Sequence, residues 1–254
     1  MDRRAVARAL ALLLLGAGAG VATSRLPAGD AAPAIVLSLQ SLGTEIFLLC
    51  VAFAGAELGG APRLARLGLG PGALALRWQA LLVLGTVAAS HGLDGVLEIS
   101  GLRRDGVLAQ LDLALAGIRG RELWLALLCV GIAPGVAEEL LCRGLVQRGL
   151  ASRLGPALAI TLAALLFGAL HADLVHAAFA TALGLYLGIA AQLARSVRLA
   201  IACHATNNVL AVALAALWPG AELVTRASTA AGFAVALLCL WVAWRGGAGP
   251  PAPA

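Results

Sequence analysis

The chain has 254 residues, 61% of them hydrophobic and only 12% charged, with a net charge of +5 and a mean hydropathy of +0.94. A soluble domain carries about twice that charged fraction, and a globule of this length cannot hide so much apolar surface. A soluble fold is therefore excluded and an integral membrane protein is expected. All the basic charge is arginine, set in short gaps between apolar runs. That is how topology signals are distributed in membrane proteins, and no nucleic-acid partner is expected.

A helix needs about 20 mainly apolar residues to cross a bilayer, and lipid leaves no partner for free backbone groups, so each span must be helical. In chain order the runs are 5–22, 34–56, 78–97, 123–148, 157–172, 174–194, 199–217 and 229–244. This predicts an all-α, polytopic transmembrane helix bundle of about eight spans, a single membrane domain over 1–254. The first run, preceded by Arg3 and Arg4, also fits a cleavable signal peptide; an uncleaved helix is expected, because eight spans return both ends to one side. Arg63, Arg66, Arg77, Arg148, Arg153, Arg195, Arg198 and Arg245 then fall on the cytoplasmic side. Arg103, Arg104, Arg119 and Arg121, in 98–122, fall on the other and run against the rule. Inside that loop, 107–118 reads as a short amphipathic interfacial helix. Residues 246–254 read as a disordered tail. Cys50, Cys129, Cys142, Cys203 and Cys239 lie in apolar runs without CxxC spacing and read as buried free thiols.

Ionisable groups inside a bilayer cost several kcal/mol by most estimates, so each needs a reason. The fourth run holds Glu138, Glu139 and Arg143. Glu139 and Arg143, four apart, share a helix face and are expected to pair. Glu138 is turned about 100° away and is left to face something else. Taken alone, both acids could simply pair with Arg143. His171 ends the fifth run, and the seventh carries His204 and Asn208, four apart and pointing to one spot; alone, this is equally an interhelical clamp. A free carboxylate, two imidazoles and an amide on three spans are together the parts for activating water and stabilising an oxyanion. Glu45, in the second run, has no assigned partner. His91, Asp94 and His176 read as interfacial or packing residues.

The ordered set Glu138-Glu139-Leu-Leu-Cys-Arg143, Phe167-Gly-Ala-Leu-His171 and His204-Ala-Thr-Asn-Asn208 resembles the CAAX-processing and bacteriocin-processing (CPBP, or Abi) membrane proteases, whose pattern is EExxxR, FxxxH and HxxxN. The similarity covers 120–215, and 1–120 contributes nothing specific. The resemblance implies an intramembrane endopeptidase in which Glu138 and His171 activate a water, His204 and Asn208 stabilise the tetrahedral intermediate, and Glu139 and Arg143 support them. It implies a membrane-associated protein or peptide as substrate. No cofactor is expected; zinc held by Glu138, His171 and His204 is the alternative. Before His204 the chain has Arg195-Ser-Val-Arg198 where many relatives carry a bulky aromatic. A catalytically silent membrane scaffold and a proton-coupled transporter are the rival readings. The Arg-rich, Lys-free, Ala/Leu/Gly-heavy composition resembles a GC-rich bacterial genome, which points to a bacterial inner membrane. With straight spans as drawn, His171 and Glu138 differ in depth by on the order of 10–15 Å.

Overall fold

The computed structural model describes residues 32–57, 62–104, 106–171, 173–220 and 224–247. The first apolar run and residues 248–254 lie outside the described residues. In chain order the helices are α1 (Pro33–Glu57), α2 (Arg63–Arg66), α3 (Leu76–Ser100), α4 (Val107–Leu115), α5 (Gly120–Leu154), α6 (Pro156–Ala169), α7 (Leu174–Ala194), α8 (Val197–Leu217) and α9 (Arg226–Gly247). Six of these, α1, α3, α5, α7, α8 and α9, are long and apolar enough to cross a membrane, and α6 is a shorter apolar helix. The protein is an all-α, multi-pass membrane bundle. Of the stretch 107–118 read as a short amphipathic helix, Val107–Leu115 is helical as α4, and α9 runs two residues into the stretch read as tail.

Helix α5 is the axis of the bundle. It packs against α1, α6 and α8, while α3 and α9 pair on the outer side of α7 and α8. Accordingly 61% of its apolar window is buried, against 28% for α1 and α9. Two stretches of α5, Leu127–Ile132 and Leu140–Gln147, are π-helical. The first immediately precedes Pro134, which has no N–H to give and whose ring crowds the preceding turn; a widened turn absorbs that conflict. Helix α5 ends at Gly155, at φ 76°, and Pro156 opens α6, the usual division of labour between the two residues. Asp173 caps α7 by accepting from the His176 N–H at 2.8 Å.

One end of the bundle gathers the C-termini of α1, α5, α7 and α9 with the N-termini of α3, α6 and α8. It carries Arg63, Arg66, Arg77, Arg148, Arg153, Arg195, Arg198 and Arg245, and among the described residues Glu57 is its one acid. Such clustering at one end is the pattern of a positive-inside topology signal. At the opposite end two of the four arginines that ran against the rule, Arg103 and Arg119, are engaged. Arg103 bridges Asp94 and Asp112, the latter at 2.9 Å, and Arg119 donates to the Ala216 carbonyl at 2.6 Å. Asp94 is thus an ion-pair partner rather than a bare interfacial residue. Four of the cysteines are buried as expected, whereas Cys50 is exposed on α1.

Candidate active site

Glu138 and Glu139 sit in the α-helical turn of α5 between its two π-helical stretches. Opposite them runs α8, and the approach is close. A Cβ at Gly135 would lie 2.6 Å from the backbone nitrogen of Ala205, so only glycine lets α8 come near enough for His204 to reach the acids. Glu139 pairs with Arg143 at 2.7 Å, both side chains fully buried, as the four-residue spacing required. The same Glu139 oxygen contacts Nδ1 of His204 at 3.0 Å. A carboxylate only accepts, so the ring donates from Nδ1. Asn208 Nδ2 then donates to His204 Nε2 at 3.1 Å. Glu138 stands apart from this chain of contacts, with Oε2 at 3.8 Å from the same Nε2.

Arg143 is held from three sides. Its Nη2 donates to the Gly184 carbonyl at 2.8 Å, and its guanidinium carbon lies 4.5 Å from the centre of the Phe167 ring, close enough for a cation–π contact. Phe167 is also edge-on to both imidazoles, with centroids 5.4 Å from His171 and 5.6 Å from His204. Its place in the motif is therefore structural: one ring touches the cation and both histidines. His171 Nδ1 contacts the Phe167 carbonyl at 3.1 Å. A carbonyl can only accept, so Nδ1 carries the proton and Nε2 is left as the basic atom.

The expected depth mismatch disappears because α5 continues to Leu154, six residues past the end read from hydropathy. That adds about 9 Å. Counted from the Gly155 turn, Glu138 is 155 − 138 = 17 residues up α5 and His171 is 171 − 155 = 16 residues up the antiparallel strand of chain that begins with α6. The two lie at one depth. His171 nevertheless joins the group through Phe167: among the described residues no hydrogen bond or ion pair links it to Glu138.

Two further residues belong to this neighbourhood. His176 lies against His171, with ring centroids 4.2 Å apart. Glu45 is buried on α1, which packs on the Glu138 segment. Its Oε2 has no hydrogen-bond partner. The signal for Glu45 was plain in the sequence, an acid in an apolar run; the helix segment that α1 packs against could not be located by periodicity. Zinc needs three protein ligands at about 2.0–2.2 Å. Among the described residues no group of three or more His, Cys, Asp or Glu side chains is arranged to hold a metal ion, and both ring nitrogens of His204 are already engaged.

No curated protein and no solved structure matches the chain. Residues 120–210 match the family described as Type II CAAX prenyl endopeptidase Rce1-like, the segment that contains every residue of the Glu138–Asn208 group, and this match is consistent with the CAAX-processing protease family and supports a membrane endopeptidase of CAAX type.

Proposed function

We propose that this chain is an intramembrane endopeptidase that hydrolyses a peptide bond in a membrane-associated protein or peptide. What carries the reading is the fixed chain of contacts Arg143–Glu139–His204–Asn208 with the Glu138 carboxylate beside it and outside it. Glu138 accepts a proton from water as the water oxygen attacks the scissile carbonyl. His171, its Nδ1 proton committed to Phe167, offers Nε2 to orient the same water. The carbonyl oxygen becomes an oxyanion. An amide nitrogen has two hydrogens, and Asn208 uses one on His204, so the second is the donor for that oxyanion. Glu139, accepting from Nδ1, fixes the His204 ring so that its Nε2 holds the Asn208 amide in place. Glu138 then returns the proton to the leaving nitrogen, the C–N bond breaks, and a new carboxyl and a new amine are released. The composition favours the inner membrane of a bacterium, where the substrate would be membrane-anchored without a prenyl group.

The test is Glu138→Gln, which keeps the shape and removes the base. Purified protein in lipid nanodiscs is incubated with a farnesylated CAAX peptide and, separately, with peptides carrying a transmembrane anchor, and products are identified by mass. Cleavage falls at least about 10²-fold in the variant, with insertion and melting temperature unchanged. Equal turnover by wild type and variant would overturn the assignment, and cleavage of neither class by wild type would favour the scaffold reading.

A further inference from the structure

Below the site, at the arginine-rich end, the bundle contains a cavity of about 310 Å³ that the proposed chemistry does not use. Its lining includes Arg143, Gln147, Arg148, Gln192, Arg195 and Ser196, and no acid. Arg143, Gln147 and Ser196 are buried, whereas Arg148, Gln192 and Arg195 are exposed at the mouth. Two buried polar atoms of the lining side chains, Nε of Arg143 and Oε1 of Gln147, have no hydrogen-bond partner. Buried polar atoms are nearly always paired, so the pair marks a place built to be filled by a group that both accepts and donates. No ion pair or hydrogen bond engages the guanidinium of Arg148 or Arg195 among the described residues. Arg195 is also the one described residue other than glycine at positive φ, 53°, a conformation that disfavours any side chain with a Cβ. Such a position is ordinarily given to glycine; here it holds a cation over the cavity.

We infer that this cavity binds the phosphate headgroup of an anionic phospholipid, with Arg148 and Arg195 on the phosphate and Gln147 accepting from a headgroup hydroxyl. Depth selects this occupant. Helix α7 has 21 residues and is about 31 Å long, which matches the hydrocarbon thickness, so Arg195 just beyond its end lies where lipid phosphates lie. Basic pockets between helices on the cytoplasmic side are suited to anionic headgroups. A peptide running down from Glu138 would have to pass Arg143, whose side chain is fully buried. The cavity is thus closed to the site yet shares Arg143 with it, since the same guanidinium holds Glu139.

The test needs no substrate. Purified full-length protein is placed in phosphatidylcholine nanodiscs with and without phosphatidylglycerol, and lipid retention by native mass spectrometry and melting temperature are measured. Phosphatidylglycerol is retained and raises the melting temperature. Arg148→Gln and Arg195→Gly each weaken retention by about fivefold, whereas Arg153→Gln and Arg198→Gln, at the same end but outside the cavity, do not. Arg195→Gly keeps or gains stability in pure phosphatidylcholine, because it relieves the backbone, so its loss of retention is not misfolding. Equal weakening by all four variants would reduce the effect to surface charge and overturn the site. Inorganic phosphate reproducing the full stabilisation, or a peptide carboxylate displacing the lipid, would overturn the lipid as its occupant.

Discussion

Helices α3 and α9 form the most intimate pair in the bundle, and among the described residues no ion pair joins them. A Cβ at Gly232 would sit 2.7 Å from the Ala88 carbonyl, and one at Gly95 would meet Thr229. Thr229 itself bonds back to its own helix, to the Thr225 carbonyl at 2.8 Å. This is close backbone approach through small residues, the usual means of association in lipid. The core around α5 is instead joined through buried polar groups, with the Glu139–Arg143 ion pair of α5 meeting His204 of α8. Taking charges out of water costs more than packing recovers unless the geometry is nearly complete. The contrast teaches where chemistry is placed: a membrane protein needs only small residues to hold helices together, so buried ions beyond that need are retained for another purpose.

The contrast can be broken from either side. The largest effect is expected at Arg143→Ala, which strands Glu139 in the core; losing one partner of a buried pair costs about 3–5 kcal/mol. Unfolding in detergent should show this as a large drop in melting temperature, and a wild-type value would mean that the pair is solvated. Gly232→Val attacks the other region, driving two methyl groups toward backbone that cannot yield. About 1–3 kcal/mol of stability should be lost, while hydrolysis per folded molecule stays at the wild-type level; a selective loss of turnover would show that the α3–α9 pair is not merely structural. Glu45→Leu should stabilise, by about 1 kcal/mol, because it removes an acceptor that has no partner. A lower melting temperature would reveal that Glu45 is engaged in the folded protein. The smallest effect is expected from a membrane-permeant zinc chelator, which should leave cleavage unchanged. Activity that vanishes with stoichiometric zinc and returns on its re-addition would reassign Glu138 from base to ligand while leaving the protease reading intact.

Local pattern by itself determined the class of the molecule. Apolar runs marked α1, α3, α5, α7, α8 and α9, because a span must be long and continuous to cross lipid, and the four-residue spacing of Glu139 and Arg143 dictated their pairing, because it is internal to one helix. The ordered motifs Glu138–Arg143, Phe167–His171 and His204–Asn208 likewise needed nothing but the chain. The tertiary structure decided everything that passes between helices. Hydropathy ended α5 at Arg148, yet the helix continues to Leu154 on contacts with α6, and that extension is what brings His171 to the depth of Glu138. His204 is bonded to Glu139 as well as facing Glu138, and Arg103 finds Asp94 nine residues back and Asp112 nine residues on. None of these follows from periodicity, since spacing along one helix fixes which face a side chain occupies but not which neighbour covers that face. The neighbour here was set by close approach, as at Gly135 against Ala205, a contact that exists only once two distant stretches of chain are packed together.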